Sequence, residues 1–154
     1  MQDNLPIPGS LDTALSSGTP REVLDETIRL FGCQAGTLHW LDRQSGMLTL
    51  ATYSNIPDPV AKIVATVPVG KGIAGLAAER REPVSLCNLQ TDTSGQARPA
   101  AKTTGMEGSV AVPMLVGGEL RGVLGIAKAT AHDWTDAEKG LLLQIASRLG
   151  QRQP

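Results

Sequence analysis

The sequence predicts an α+β domain built around one central, largely antiparallel β-sheet. Apolar runs of strand length occur in pairs separated by tight turns, and such turns join antiparallel neighbours. An amphipathic helix with a capping signal stands near each end of the chain. Strands and helices do not alternate as they do in a parallel βαβ sheet. We therefore expect the two terminal helices to cover one face of the sheet.

The N-terminal part of the chain predicts a lead-in followed by helices. Residues 1–9 carry two prolines and a glycine and are expected to be extended, and residues 10–17 to form a short helical region. Thr19 is the expected N-cap of a longer helix, Pro20 suits its first position, and Glu22 completes a capping box. The apolar stripe of this helix has helical spacing and consists of Leu24, Ile28 and Phe31.

Two hairpins supply the longer strands. Residues 35–42 and 47–54 flank a short polar turn, and residues 109–116 and 119–128 flank a Gly-Gly pair that tolerates positive φ. Between the hairpins the pattern predicts four smaller elements: a helix over 60–65, a strand over 66–69, a helix within 70–81 and a strand over 83–87.

The last third of the chain holds a long loop and a capped helix. Residues 88–108 show no convincing periodicity, and a loop of that length inside a compact domain is either mobile or functional. Thr135 and Glu138 form a second capping box, which opens the last helix. The apolar stripe of that helix is Leu142, Ile145 and Leu149.

Composition excludes several classes of partner. A length of 154 residues suggests one domain, and 14 Lys and Arg against 15 Asp and Glu leave no electrostatic attraction for nucleic acid or an anionic membrane. Aromatic residues make up only 3%, too few for a base-stacking platform. Neither a signal peptide nor an apolar run of about 20 residues is evident, so we expect a cytoplasmic protein. Cys33 and Cys87 are then expected to be free thiols.

Four stretches of the chain together resemble a GAF domain, a small sensory fold related to the PAS domains. They are Cys33–Asp42, Val67–Leu86 with its GKGIAG run, Ser109–Lys128 and Trp134–Gly150. The resemblance implies a single GAF-like domain over residues 10–150, followed by a tail at 151–154. It also implies a sheet with the first and last helices on one face. A short helix and the long loop roof a small-molecule pocket on the other face.

The resemblance further implies a non-catalytic sensory module that transmits a signal to a partner domain. It does so by binding a small ligand, by dimerising or by both, and the alternative is a module that has lost its ligand and only dimerises. The ligand and any cofactor stay unknown. Homodimerisation is expected through the terminal helices, by way of Leu24, Ile28, Leu142, Ile145 and Leu149. The candidate ligand-binding residues are His39, Trp40, Tyr53, Lys71, Ile73, Leu76, Asp92, Ser109 and Ala111.

Some of these assignments leave alternatives open. His39 and Trp40 are adjacent in a strand and point to opposite faces, so only one of them faces the pocket. Ser109 and Ala111 compete with Val110 and Val112 in the same way. The glycines of GKGIAG are expected to make a tight strand-to-helix turn. The helix that starts near Ile73, with Lys71 beside it, offers N–H groups to an anionic group.

Catalysis is not expected. One branch of the fold reduces free methionine sulfoxide with cysteines and acids, and the positions that correspond here are Val64, Ala74, Gly125 and Ala127. The long loop also lacks a cysteine near Lys102. Without a thiolate that reaction has no nucleophile.

Three other activities of related domains can be compared with the sequence. Cyclic-nucleotide binders of the fold carry a dispersed motif near the last strand, of which only Lys128 and a nearby Glu138 remain, and these two are expected to form an ion pair. A covalent bilin would need a cysteine in the roof, where Cys87 is the nearest. Cys87, with Cys33, is also the candidate for a thiol-based redox sensor. The cysteines and histidines lack zinc-site spacing, so no metal site is expected.

Overall fold

The computed structural model describes residues 6–154, and it has the predicted α+β architecture. The expectation for residues 1–5 of the lead-in lies outside the described residues, and the first helix begins at Gly9. The helices are α1 (Gly9–Ser17), α2 (Pro20–Leu30), α3 (Asp58–Ile63), α4 (Gly72–Arg80), α5 (Pro99–Lys102) and α6 (Asp136–Gly150). The strands are β1 (Ala35–Leu41), β2 (Met47–Ser54), β3 (Thr66–Pro68), β4 (Val84–Leu86), β5 (Gly108–Val116) and β6 (Glu119–Lys128).

The six strands form one sheet in the order β3-β2-β1-β6-β5-β4. All neighbouring pairs are antiparallel, as the turn pattern predicts. The two long hairpins meet at the centre, where β1 pairs with β6 along almost its whole length. The central strands therefore come from opposite halves of the chain, and only the tertiary fold brings them together.

Helices α2 and α6 begin where the sequence indicates. Thr19 and Thr135 each accept a hydrogen bond from the backbone N–H of the glutamate three residues later, and each glutamate bonds back to the cap residue. Both helices pack with α1 on one face of the sheet. Their buried side chains join those of β1, β5 and β6 in the main core, which includes Val23, Leu24, Leu38, Val110, Met114, Leu124, Ile126, Leu142, Ile145 and Leu149.

The opposite face of the sheet carries a smaller hydrophobic cluster under α4. It contains Leu48, Val67, Ala77, Ala78, Val84, Ala111, Leu120 and Val123. Most of the predicted long loop runs over the same side of the molecule. A single short helix, α5, interrupts that loop, although the sequence has no periodicity there.

The C-terminal residues 151–154 pack on the domain. Arg152 donates to the backbone carbonyls of Ala14 and Leu15 at 3.2 Å, which satisfies the C-terminal end of α1. Gln153 donates to the carbonyl of Leu41 at 2.8 Å. Within residues 6–154, no helix is long and apolar enough to cross a bilayer.

Candidate ligand-binding cavity

A cavity of about 150 Å³ lies between the sheet and the segment that carries α3, α4 and α5. Its floor comes from the central strands: Ala35, Thr37 and His39 of β1, Ser109 and Ala111 of β5, and Gly125 and Ala127 of β6. Its walls and roof include Ile56, Val60, Val64, Val67, Gly72, Ile73, Ala74, Leu89, Arg98, Ala101, Thr104 and Met106.

The floor is hollow because its side chains are small. Thr37 stands opposite Gly125, which in turn stands opposite Ala111 on the next strand. Ala35, Ala127 and Ser109 form a second row across the same three strands. Large aliphatic residues such as Leu124 and Ile126 alternate with these positions on β6, but they point to the helix-covered face. The space above the small residues is therefore left for a ligand.

His39 is the buried polar group of the floor, with 2% of its surface exposed. Its Nε2 lies 2.8 Å from the carbonyl oxygen of Val64. A carbonyl only accepts, so Nε2 carries the proton and donates. Burial lowers the pKa of His39, although the bond to Val64 opposes that shift, so the ring is neutral near pH 7. Its Nδ1 is a hydrogen-bond acceptor that is buried and has no partner within residues 6–154.

The wall at the start of α4 is built by glycine conformations. Gly70 and Gly72 have φ of +94° and +69°. A Cβ on Gly75 would collide with the carbonyl oxygen of Pro68. The glycine spacing thus makes a tight turn with close packing, as the sequence analysis predicts. Unlike α2 and α6, helix α4 has no side-chain cap. Its first residues line the cavity, and the backbone N–H groups of a helix's first turn have no partner within the helix.

Arg98 closes the cavity from the loop side. It is the residue before α5, and a Cβ on Gly72 would stand 3.0 Å from its Cγ, so its stem lies across the start of α4. The guanidinium Nη1 is buried and has no hydrogen-bond partner among the described residues. Lys71 adds a second, exposed cation at the rim. Among the described residues, the lining contains no aspartate, glutamate or cysteine.

The structure brings five of the nine predicted ligand residues to this cavity: His39, Lys71, Ile73, Ser109 and Ala111. It also settles two alternatives. His39 rather than Trp40 faces the cavity, and the side chains of Ser109 and Ala111 lie on the cavity face, because Val110 and Val112 are packed into the helix-covered core.

The other four predicted residues do not line this cavity. Trp40 lies on the opposite face of β1 and packs against the main core. Tyr53 pairs with Thr37 across the strands, so it lies one strand beyond the floor. Leu76 packs into the cluster under α4. Asp92 accepts hydrogen bonds from the backbone N–H and hydroxyl of Ser94, which fixes it inside the loop.

The sequence reasoning missed Arg98, Thr37 and the residues of the roof. The sequence did contain a signal for Thr37: it lies two positions before the candidate His39 in the same strand, and residues two apart in a strand share a face. Arg98 had only a weak one: it precedes Pro99, which suits the first position of a helix. Nothing in the loop's composition distinguishes Arg98 from the chain's other arginines, because its role depends on where the loop folds.

The residues predicted to form a dimer interface lie inside the monomer. Leu24, Leu142, Ile145 and Leu149 are at most 1% exposed, and Ile28 is 8% exposed. Their stripes face the sheet, because a single layer of helices must bury its apolar side against that surface. These side chains are therefore packed inside the single chain, and they leave little surface for a contact with a second copy.

The expected ion pair between Lys128 and Glu138 is also absent. Glu138 instead contacts His132, with the ring Nε2 2.9 Å from the carboxylate Oε1. The ammonium of Lys128 lies 5.8 Å from the ring centroid of Trp134. Partial burial alone would raise the pKa of Glu138, but its hydrogen bonds to the Thr135 backbone and to His132 lower that pKa below its usual range.

The two cysteines are unpaired and stand in different environments. Cys33 is buried in the main core, where desolvation raises the pKa of its thiol to about 12. Cys87 is exposed, and its hydrogen bond to Asp133, partial desolvation and the charge of that carboxylate raise its pKa as well. Neither environment favours a reactive thiolate. Among residues 6–154, no cluster of three or more His, Cys, Asp or Glu side chains could hold a metal ion.

The family follows from a model match as well as from the fold. A family model for the GAF domain matches residues 19–151, so the chain belongs to the GAF domain family. A search of curated proteins finds no match.

Solved structures with the same fold are distant in sequence. One is the GAF domain of a phosphoenolpyruvate-protein phosphotransferase from Coxiella burnetii, with 23% identity over 94% of this chain and 82% of that one, and a TM-score of 0.71. A second is a free methionine-R-sulfoxide reductase from Neisseria meningitidis in complex with its substrate, with 16% identity over 92% and 83%, and a TM-score of 0.73.

A third is a domain of a putative two-component sensor histidine kinase protein from Sinorhizobium meliloti 1021. It has 19% identity over 88% of this chain and 92% of that one, and a TM-score of 0.67. At these identities the three structures establish the fold alone, which regulatory proteins and enzymes share.

Proposed function

We propose that this chain is a non-catalytic sensory module whose cavity binds a small molecule and so changes a partner domain or a second copy of the chain. The observation that carries the proposal is the cavity itself. It is mainly apolar, and two of the residues that line it carry buried side-chain atoms with no hydrogen-bond partner among residues 6–154: the acceptor His39 Nδ1 and the donor Arg98 Nη1. Such groups cost free energy unless a ligand or water bonds to them.

The cavity's size limits the ligand. An engineered cavity of about 150 Å³ in another protein binds benzene, whereas drug-sized ligands occupy about 300–1,000 Å³. A purine nucleotide or a tetrapyrrole would need the loop and α5 to move outward. We therefore favour a ligand with fewer than about ten non-hydrogen atoms.

A reductase activity is the main catalytic alternative, because the fold matches that of a methionine sulfoxide reductase over most of both chains. The positions aligned with that chemistry, Val64, Ala74, Gly125 and Ala127, all line the cavity. They place methyl groups and backbone where a thiolate and carboxylates would be required. We expect no turnover of free methionine sulfoxide with a thiol reductant, and measurable turnover would overturn the non-catalytic assignment.

A thiol-based redox sensor through Cys87, with Cys33, is less well supported. The pKa values of both thiols are raised, and Cys33 is buried.

Dimerisation stays part of the proposal, but a dimer through the terminal helices must use side chains that point away from the sheet. Sedimentation equilibrium at micromolar concentration measures it directly, and a monomer there would remove dimerisation from the proposal.

Native mass spectrometry combined with a cavity-filling variant tests ligand binding. Ala127→Leu places three additional carbons above the floor, whereas Ala51→Leu makes the same change at an exposed position of β2. We expect the purified protein to carry a small molecule, or to bind members of a fragment library, and we expect Ala127→Leu alone to abolish this. The proposal fails if no compound binds, or if both variants bind as the parent chain does.

Ligand binding should also order the roof. Residues 88–107 make few regular backbone hydrogen bonds beyond α5, so their amides are expected to exchange quickly without ligand. A bound ligand that contacts Leu89, Ala101 and Met106 should slow that exchange. Unchanged exchange across the loop at saturating ligand would exclude the loop as the moving element.

A further inference from the structure

Resting on the proposed sensory function, we propose that the cavity selects small carboxylates that have an apolar body and a hydroxyl-type donor, and that it rejects the corresponding amino acids. Arg98 would receive the carboxylate, and His39 Nδ1 would accept the donor's hydrogen bond. Both atoms are buried, neither has a hydrogen-bond partner in the described part of the chain, and both residues line the same cavity.

The charge of the lining points to an anion. Arg98 brings a guanidinium group, whose N–H groups only donate, and Lys71 stands at the rim. No carboxylate among the described lining residues offsets these two cations. The uncapped start of α4 adds N–H groups of Gly72, Ile73 and Ala74 and the positive end of the helix dipole on the same wall. A carboxylate would satisfy these donors together with Arg98.

The same lining discriminates against an ammonium group. A ligand's ammonium would have His39 Nδ1 as an acceptor, but no counter-charge within the described lining. Burying such a charge without a partner is costly, while a hydroxyl needs only the hydrogen bond. For a zwitterionic amino acid, the cost of burying the ammonium group therefore offsets the favourable binding of its carboxylate. The apolar body suits Val60, Val64 and Met106, which supply the remaining contacts.

Three probes of nearly equal shape separate these contributions. The reference probe is 2-hydroxy-3-methylbutanoate. Valine replaces its hydroxyl by an ammonium group, and 2-hydroxy-3-methylbutanamide replaces its carboxylate by a neutral amide. Titration calorimetry and amide chemical shifts of the full chain measure binding. We expect the hydroxy acid to bind at least about tenfold more tightly than valine and than the amide.

Variants assign the carboxylate to Arg98. Arg98→Gln keeps hydrogen-bonding groups but removes the charge. We expect it to weaken binding of the hydroxy acid about tenfold or more and to leave binding of the neutral amide probe unchanged. Arg80→Gln is the matched control, since Arg80 is an exposed arginine of α4 that does not line the cavity. Equal losses with Arg80→Gln and Arg98→Gln would overturn the role of Arg98.

A fourth probe, 3-methylbutanoate, lacks the hydroxyl and tests His39. The parent chain should prefer the hydroxy acid over it by about fivefold or more, and His39→Phe should lose that preference while still binding both. If His39→Phe fails to fold, as thermal unfolding would show, the preference of the parent chain alone decides.

The two proposals fail in different ways. If valine or the neutral amide binds as tightly as the hydroxy acid, the cavity binds ligands but the selectivity is wrong. If none of the four probes shifts the amides of Thr37, Ile73 or Ala111, the selectivity for this class is also wrong, and only the wider fragment library decides whether the cavity is a binding site.

Discussion

The two faces of the central sheet share the same strands but are packed differently. On the helix-covered face, Leu38, Val110, Leu124 and Ile126 are at most 2% exposed and interlock with α2 and α6. On the other face, the alternate residues of those strands include Ala111, Gly125 and Ala127, and a cavity stands above them. Because the strands are the same, side-chain volume rather than backbone topology makes one face a packed core and leaves a cavity on the other.

The buried polar residues follow the same division. Thr27, on the helix-covered face, is fully buried and donates its hydroxyl to the carbonyl of Val23 at 2.7 Å. His39, on the cavity face, satisfies only one of its two ring nitrogens. In the helix-covered core the indole Nε1 of Trp134 also lacks a hydrogen-bond partner among residues 6–154, but Trp134 does not line the cavity, whereas His39 borders a space that could hold a ligand.

Truncating an apolar side chain to alanine should lower the free energy of unfolding much more on the helix-covered face than on the cavity face. We expect Leu142→Ala to lower the free energy of unfolding by about 2–5 kcal/mol, because it empties a close-packed site. Ile73→Ala removes a half-buried side chain that already borders a void, and we expect about 1–2 kcal/mol. Urea-induced unfolding measures both. Equal losses would mean that the cavity face is as tightly packed as the other.

The helix starts should respond in opposite directions. Thr135→Ala removes the cap of α6, and we expect a loss of about 1 kcal/mol. Lys71→Ser gives α4 a capping hydroxyl, and the extended backbone at Lys71 suits an N-cap, so we expect a gain of about 0.5 kcal/mol. Thermal unfolding measures the two shifts. Destabilisation by Lys71→Ser would show that the start of α4 already has its donors satisfied.

The pH dependence of stability should come from the cavity face near neutral pH. His39 has a lowered pKa in the folded protein, so the unfolded chain takes up the proton first as the pH falls below the ordinary value of 6.5. The free energy of unfolding should therefore decrease below that pH, and His39→Phe should flatten the decrease. The stabilisation from Glu138, whose pKa is also lowered, is lost only below its ordinary value of 4.5. An unchanged slope between pH 6.5 and 5 in His39→Phe would contradict this assignment.

The smallest expected effect concerns the thiols, which should not affect stability under reducing conditions. In the folded protein, a disulfide reagent should modify one thiol, the exposed Cys87, and slowly, because Asp133 raises its pKa. Cys33 in the helix-covered core should react only on unfolding. Cys87→Ser should leave no reactive thiol in the native state. Rapid native modification of Cys33 would show that this core opens readily.

The sequence predicted the elements well where a local signal was strong. Capping boxes at Thr19 and Thr135 located two helices, and the Gly-Gly turn located the second hairpin. Five candidate residues lie at the cavity, but strand alternation only reduced the choice on β1 and β5 to one of two faces and did not say which face meets the roof. The pairing of Glu138 with His132 was missed, since both Lys128 and His132 are near it along the chain and only geometry chooses between them.

Helix caps, apolar stripes, strand alternation and turns can be read from the sequence, because each depends on residues within a few positions of one another. Which face of β1 meets the roof, and that Arg98 reaches the start of α4, depends on how distant segments fold together. So does the packing of the stripes of α2 and α6 against the sheet rather than against a second chain. These outcomes depend on long-range packing, where the free energy is set by how large and small side chains from distant segments fill a shared space.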